Sequence, residues 1–357
     1  MLNRILHRVR KTVGSFRAAC AAIVVLAFSS TGFAQAPVFV DSAQRAVELP
    51  AGPVTKVLAA GPPATVILYS LAPDKFMGWV RPLGDEALAY LPPRYRALPV
   101  QGRLTGRTPA EASEIKALKP DVIVDFGTVN ANYADIATRT QAATGIPYVL
   151  IDGALKATPL AYRSLGRVLK DQQRADVLAA RSQAILEMMA GKVGALPADA
   201  RKRIYIARGP DGNDTYGSGA FTEEMLTSAG GVNVAAGWGS GNLKDIKPDR
   251  VREANPDIVV ATDPYFLEVV AKTPAWLDVP AIKAGRLYLA PRHPFGWIDE
   301  PPSVNRLIGL RWLAGLLHPD RIGGDLRQEV RDFYRAFYHT KLDGPQLTRL
   351  LANAMPR

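Results

Sequence analysis

A helical stretch of unusual length interrupts a chain that otherwise alternates short strands and helices. Residues 159–193 set Leu165, Val168, Leu169, Val177, Leu178, Ile185, Leu186 and Met189 at three-and-four spacing, with Arg, Lys, Asp and Gln between them. That is the period of an amphipathic helix. Gly194 and Pro197 close it. A main segment of about 25 residues spans on the order of 37 Å at 1.5 Å per residue, more than a crossover inside one small domain needs. Such a rod suits a connector, and 357 residues leave enough chain on either side for two cores.

The flanks support this. Before the rod, Lys56-Val57-Leu58-Ala59-Ala60, Asp121-Val122-Ile123-Val124-Asp125 and residues 147–151 read as strands, separated by helical spacings over 64–71, 109–118 and 133–144. After it, Arg203-Ile204-Tyr205-Ile206-Ala207, residues 257–261 and Arg286-Leu287-Tyr288-Leu289-Ala290 read as strands, and helices are expected near 221–229, 303–317, 326–338 and 345–353. Near-continuous Val/Ile strands alternating with helices predict parallel sheets covered on both faces. An internal echo links the flanks: residues 114–124 line up with 250–260 as helix end, Pro-Asp, strand. Ala60-Gly61-Pro62 and Ala207-Arg208-Gly209-Pro210 follow corresponding strands. The expectation is therefore an α/β protein with two Rossmann-like lobes, each separately folded, of mainly parallel sheets joined by one long helix. Its divisions fall at 1–36, 37–157, 158–196 and 197–357.

The first 36 residues read as a cleavable export signal: Arg4, Arg8, Arg10, Lys11 and Arg17, an apolar run over 18–28, then small residues ending at Ala34 or Ala36. The run is too short for a bilayer, which needs about 20 residues. Removing it takes the formal charge from +11 to 39 − 33 = +6 and removes the single cysteine, Cys20. A thiol-free exported chain suits an oxidising compartment. The residual charge forms no Lys/Arg block, so nucleic acid is a poor candidate partner.

Enzyme signatures are missing from the sequence: no His-Glu-x-x-His, Cys-x-x-Cys, Gly-x-Ser-x-Gly or phosphate-binding loop occurs. Gly217-Ser218-Gly219 before Phe221 offers backbone N–H groups to an anion at a helix start, or is an ordinary turn. Four histidines (His7, His293, His318, His339) are thin material for a metal site. The least ordinary segment is Pro291-Arg292-His293-Pro294-Phe295-Gly296-Trp297-Ile298-Asp299-Glu300-Pro301-Pro302. It follows a strand, where open α/β sheets bind ligands. Guanidinium groups and rings together suit a large, flat or anionic ligand; the alternative is that Phe295 and Trp297 pack under the terminal helices. Loops after other strands add Trp79, Arg81, Thr128, Arg208, Tyr216 and Trp238, so Arg81, Arg208 and Arg292 sit on loops of both halves.

Taken in order, Arg45-Ala46-Val47-Glu48-Leu49-Pro50, the run 114–124, Gly145-Ile146-Pro147-Tyr148-Val149, Glu223-Glu224-Met225-Leu226 before Ala229-Gly230-Gly231-Val232-Asn233-Val234, and Ala254-Asn255-Pro256-Asp257 resemble the helical-backbone (class III) substrate-binding proteins of ABC importers for iron–siderophore, haem and cobalamin. Residues 303–317, with Asn305-Arg306-Leu307, resemble a branch that includes binders of oxyanions such as molybdate. The resemblance implies a ligand clasped between lobes that open little, and an acidic residue on each lobe docking the permease. Glu223 or Glu224 matches on the second lobe; on the first, Ser113 stands at the expected place, with Glu111 and Glu114 nearby, and Glu114 is carried as the candidate.

The expectation is a monomeric periplasmic binding protein, not an enzyme and without a cofactor, which delivers a ferric siderophore or similar iron complex to an inner-membrane permease and its ATPase. A molybdate- or tungstate-like oxyanion, haem or cobalamin is the alternative ligand. The rival reading is an exported α/β hydrolase with a loop site. The ligand residues expected are Trp79, Arg81, Thr128, Arg208, Tyr216, Trp238, Arg292, His293, Phe295 and Trp297.

Overall fold

A computed structural model describes residues 36–105 and 110–356, so nearly all of the segment read as an export signal, with His7 and Cys20, lies outside the described residues. Two parallel sheets form as the Val/Ile runs require. The first pairs Val57–Ala59, Val122–Gly127 and Tyr148–Asp152 in that order. A hairpin of Val38–Val40 and Ala46–Glu48 lies along its last strand, where Ser42 N–H donates to the Leu150 carbonyl (2.9 Å) and Leu150 N–H to the Asp41 carboxylate (3.2 Å). The second sheet runs Leu287–Leu289, Ile258–Ala261, Lys202–Ala207, Gly231–Asn233, all parallel.

The internal echo is structural. Helix Ala112–Leu118 ends on Lys119 and helix Pro248–Ala254 on Asn255, both left-handed (φ 51° and 42°), each followed by Pro-Asp and a buried strand. Each Asp then receives backbone N–H groups from the start of the adjacent parallel strand: Asp121 from Thr55 (2.7 Å) and Lys56 (2.8 Å), Asp257 from Arg203 (2.7 Å). The Pro stops the helix, and the Asp satisfies N–H groups the ladder leaves open.

The connector departs from the expected single rod. It is two helices, Thr158–Leu169 and Gln172–Met189, broken at Lys170, which is left-handed (φ 53°). The two pack so closely that a Cβ on Gly166 would stand 2.5 Å from the Ala175 Cβ. Lys170 Nζ reaches the carbonyls of Pro50 (3.1 Å) and Ala51 (3.0 Å), which fixes the break against the first lobe. The second helix continues in wider turns to Gly194, and at 1.5 Å per residue the span is about 34 Å.

The halves also prove less separate than expected. Outer sheet faces have their own clusters, Leu58, Ile123 and Tyr148 on one and Tyr205, Val259 and Ala261 on the other. The inner faces, Val57, Val122, Val124 and Val149 with Ile204, Ile206, Ile258 and Val260, belong to one continuous core with the connecting and terminal helices. Period-two alternation divides each strand between these layers. The terminal segment, assigned above to the second lobe, returns to the first. The Tyr69 hydroxyl donates to the Tyr338 carbonyl (2.7 Å), Thr340 to the Tyr90 carbonyl (2.9 Å), and Tyr90 to the Gln346 carbonyl (3.0 Å). Arg174 of the connector donates to Ser70 O (2.7 Å) and Ala336 O (2.9 Å), holding the ends of helices Pro62–Leu71 and Leu326–Phe337 together.

Candidate functional site

Both sheets point the carboxyl ends of their strands at one junction. From the first lobe come the start of helix Pro62–Leu71, Arg81, and Gly127 and Gly153 at two strand ends. From the second come Arg208, after Lys202–Ala207, and the segment 291–303. Ser303 Oγ donates to the Pro63 carbonyl (2.8 Å), and the Arg306 guanidinium donates to the Gly153 carbonyl across the junction. A cleft of about 420 Å³ opens beside it, lined by Arg81, Leu83, Glu86, Arg292, His293 and Glu300. An adjoining gap of about 40 Å³ is bounded by Pro62, Trp79, Arg81, Phe295 and Glu300.

Arg81 and Arg292 line this cleft, and the carboxylates that answer Arg292 and Arg208 hold them loosely. Arg292 stands 3.9 Å from Glu300, and Arg208 Nε stands 3.8 Å from Asp299 Oδ2. Arg208 lies with its guanidinium 4.0 Å above the Tyr216 ring and donates to Asn242 Oδ1 (3.3 Å), so its position does not depend on Asp299. Arg306 is fully buried and lies over the Phe221 ring at 5.5 Å. Burial lowers its pKa to about 10, and the carboxylates of Glu224, Asp299 and Asp152 resist that shift. Asp299 is pushed up to about 7 by burial; Arg208 and Arg306 pull the other way, and Glu300 adds to the rise. Among the described residues, Arg292 Nε, Asp299 Oδ1 and Arg306 Nη1 are buried without a hydrogen-bond partner, an arrangement buried polar groups rarely keep.

His293 meets Glu86 at 3.2 Å and stacks on Tyr90 at 5.7 Å; burial holds its pKa below the ordinary value. The aromatic cradle expected from the sequence is consumed in packing. Trp79 donates to the Tyr95 carbonyl (3.0 Å) and packs with Tyr69 (5.4 Å) and Phe295 (6.2 Å). Phe295 meets Tyr338 at 5.4 Å. Trp297 is fully buried against Trp312 (6.2 Å) and donates to the Tyr334 hydroxyl (3.3 Å). Tyr216 is covered by Arg208, and Trp238 packs on the outer cluster of the second lobe, under Arg250 at 4.6 Å. Thr128, half-buried beyond Gly127, does not line the cleft. The structure therefore gathers Arg81, Arg292 and His293 at one opening, and pairs Arg208 with Asp299 of the same segment.

Sequence reasoning left Arg306 and Asp299 out of the site. The signal was available for Arg306: helix Asn305–Leu317 carries two arginines in an otherwise apolar sequence, and arginine is almost never fully buried without partners. The Gly217-Ser218-Gly219 loop is accounted for internally. A Cβ on Gly217 would lie 2.2 Å from the Gly239 carbonyl, and Gly219 N–H donates to Glu223 (2.7 Å). Of the expected docking acids, Glu114 is exposed at a helix start, where it accepts from Glu111 N–H (2.9 Å). Glu224 accepts from the N–H groups of Leu155 (2.7 Å) and Lys156 (3.0 Å). It is committed to a contact between the second lobe and the end of the first, just before the connector.

Among the described residues no group of three His, Cys, Asp or Glu side chains is placed to hold a metal, and no helix is long and apolar enough to cross a membrane.

Residues 79–294 match the sequence pattern of a family described as periplasmic binding protein. The molybdate-binding protein MolA of Haemophilus influenzae is 30% identical over 287 residues, covering 73% of this chain and 78% of its own. An ABC transporter solute binding protein from Sulfurospirillum deleyianum superposes with a TM-score of 0.80 at 26% identity, over 88% of this chain and 99% of that one. The molybdate-bound structure of MolA gives 0.69 at 24% identity, over 86% and 99%. Matched over more than half its length, with two parallel sheets converging on a cleft, the chain belongs to the periplasmic binding proteins that serve ABC transporters.

Proposed function

We propose that the protein captures a small tetrahedral oxyanion of the molybdate or tungstate kind and presents it to a permease. The carrying observation is that Arg81 and Arg292 face one opening where the lobes meet, with Arg292 only loosely paired to Glu300 and, on the same lobe, Arg208 only loosely paired to Asp299. Guanidinium groups give an oxyanion charge-assisted hydrogen bonds in a fixed planar fork. The large-ligand reading loses its support at the same place, because Trp79, Phe295 and Trp297 offer no open ring face for a siderophore or haem to stack on. The similarity to a molybdate-binding relative points the same way. Binding would replace the loose carboxylate contacts by the oxyanion, and release would follow when the permease separates the lobes. No bond of the ligand is broken.

The test is calorimetric titration with molybdate, tungstate, sulfate, a ferric hydroxamate and haem. Saturable one-to-one binding of an oxyanion, weakened about tenfold or more by Arg292→Ala or Arg208→Met through loss of a charge-assisted contact, supports the reading. Tight binding of the ferric complex with no oxyanion response overturns it.

A further inference from the structure

The residue closest to competing with an incoming oxyanion is Asp299. Its carboxylate faces Arg208 from 3.8 Å with a side chain only 8% exposed, and its second oxygen has no partner among the described residues. A carboxylate so placed occupies the guanidinium that an anionic ligand would use, yet makes no short bond to it. Arg208 is fixed independently, by Tyr216 beneath it and Asn242 beside it, so it stays in place when Asp299 lets go.

We propose, resting on the oxyanion reading above, that Asp299 is an internal stand-in for the ligand, and that an oxyanion binds at Arg208 only as Asp299 gives up its charge by taking a proton. The bookkeeping of the exchange is simple: one oxyanion enters, the Arg208–Asp299 ion pair is lost, and one proton passes from solvent to the Asp299 carboxylate.

The charged groups facing Asp299 are Arg208 from the loop after Lys202–Ala207, Glu300 next along the chain, and Arg306 from helix Asn305–Leu317. Behind Arg306 stand Glu224 and Asp152, and Arg292 is engaged with Glu300. A second anion adds to the repulsion from Glu300 while neutralising the help from Arg208, so ligand binding raises the Asp299 pKa above its ligand-free position of about 7. By linkage, affinity is level where Asp299 is already protonated and falls as pH rises beyond that point, by up to tenfold per pH unit. His293 is held below the ordinary histidine range by burial, so it changes charge at lower pH than this window.

The experiment is calorimetric titration of the whole protein with dilute molybdate from about pH 6.5 to about pH 8.5, in buffers of different ionisation enthalpy, which counts protons taken up on binding. Molybdate keeps the same charge over this range. The expected result is an uptake that rises toward one proton at the alkaline end, with affinity falling in step. Asp299→Asn, nearly isosteric, is expected to bind with no uptake and little pH dependence, and about thirtyfold more tightly than the wild type at the alkaline end. Molybdate binding without proton uptake in the wild type, or with an unchanged pH slope in Asp299→Asn, overturns the role of Asp299 and leaves the oxyanion reading standing. Failure of the wild type to bind any oxyanion overturns both. The wild-type proton count stands without the variant, should Asp299→Asn not fold.

Discussion

Gly309→Ala sets two effects of opposite sign against each other at the point where helix Asn305–Leu317 supports the cleft segment. In a free helix the change is favourable, worth up to about 1 kcal/mol, because alanine has the better helix propensity. Here the added Cβ would stand 2.0 Å from the Trp297 carbonyl oxygen, 2.8 Å from its carbon and 3.1 Å from Met225 Cε. The first two are backbone atoms of a buried segment, so relief requires moving the helix and the segment apart by about 1 Å or more, in an interior packed without slack. Overpacking of this kind costs about 1–3 kcal/mol, and a contact with backbone rather than a flexible side-chain tip belongs at the upper end. The expected outcome is a net destabilisation of about 2 kcal/mol in urea unfolding, with an unchanged denaturant slope. Since Arg292 and His293 ride on the displaced segment, weaker ligand binding should accompany it. A variant as stable as the wild type, or more so, would mean that the helix does not lie against Trp297 as described, and the placement of the cleft would fall with it.

Trp297→Ala should lower stability by about 3–5 kcal/mol in the same assay, because a fully buried indole with a hydrogen bond is removed; near-wild-type stability would show that the ring faces the cleft. Asp299 also predicts a stability profile. Its folded pKa of about 7 lies above the unfolded 3.8. The group's contribution is therefore intact below the unfolded value and is lost as pH rises through the folded one. Asp299→Asn should gain on the wild type by about 2–3 kcal/mol between pH 5 and pH 8, by unfolding free energy; a constant difference would remove the buried carboxyl from the account.

Much of the architecture was legible because it rests on short-range rules. The runs at 121–125 and 257–261 read as strands from their Val/Ile content, and the Pro-Asp step at the start of each recurs in the sequence as a repeat. The break at Lys170 was not legible. Neither glycine nor proline marks it, and the left-handed residue is held by Lys170 reaching the carbonyls of Pro50 and Ala51, about 120 positions away (|i−j| = 120 and 119). The site divided along the same line. The loops carrying Arg81, Arg208 and Arg292 follow from strand ends, which sequence can place. Whether a ring on such a loop turns outward or inward depends on distant partners: Trp297 turned in because Trp312 and Tyr334 receive it. The apolar helix around Arg306 signals its burial, but the Gly153 carbonyl that it meets lies 153 positions away, which spacing along the helix does not reveal.

The bond between Tyr69 and Tyr338 joins residues 269 positions apart. Closing so large a loop is entropically slow, and topologies dominated by distant pairings reach their native state late. Helix Pro62–Leu71 therefore waits until residue 338 has been made before its final neighbours exist. A nascent chain, or one threaded end-first through a pore, stays unlocked until residues 326–338 arrive, and truncation before residue 338 should leave helix Pro62–Leu71 without its closing piece.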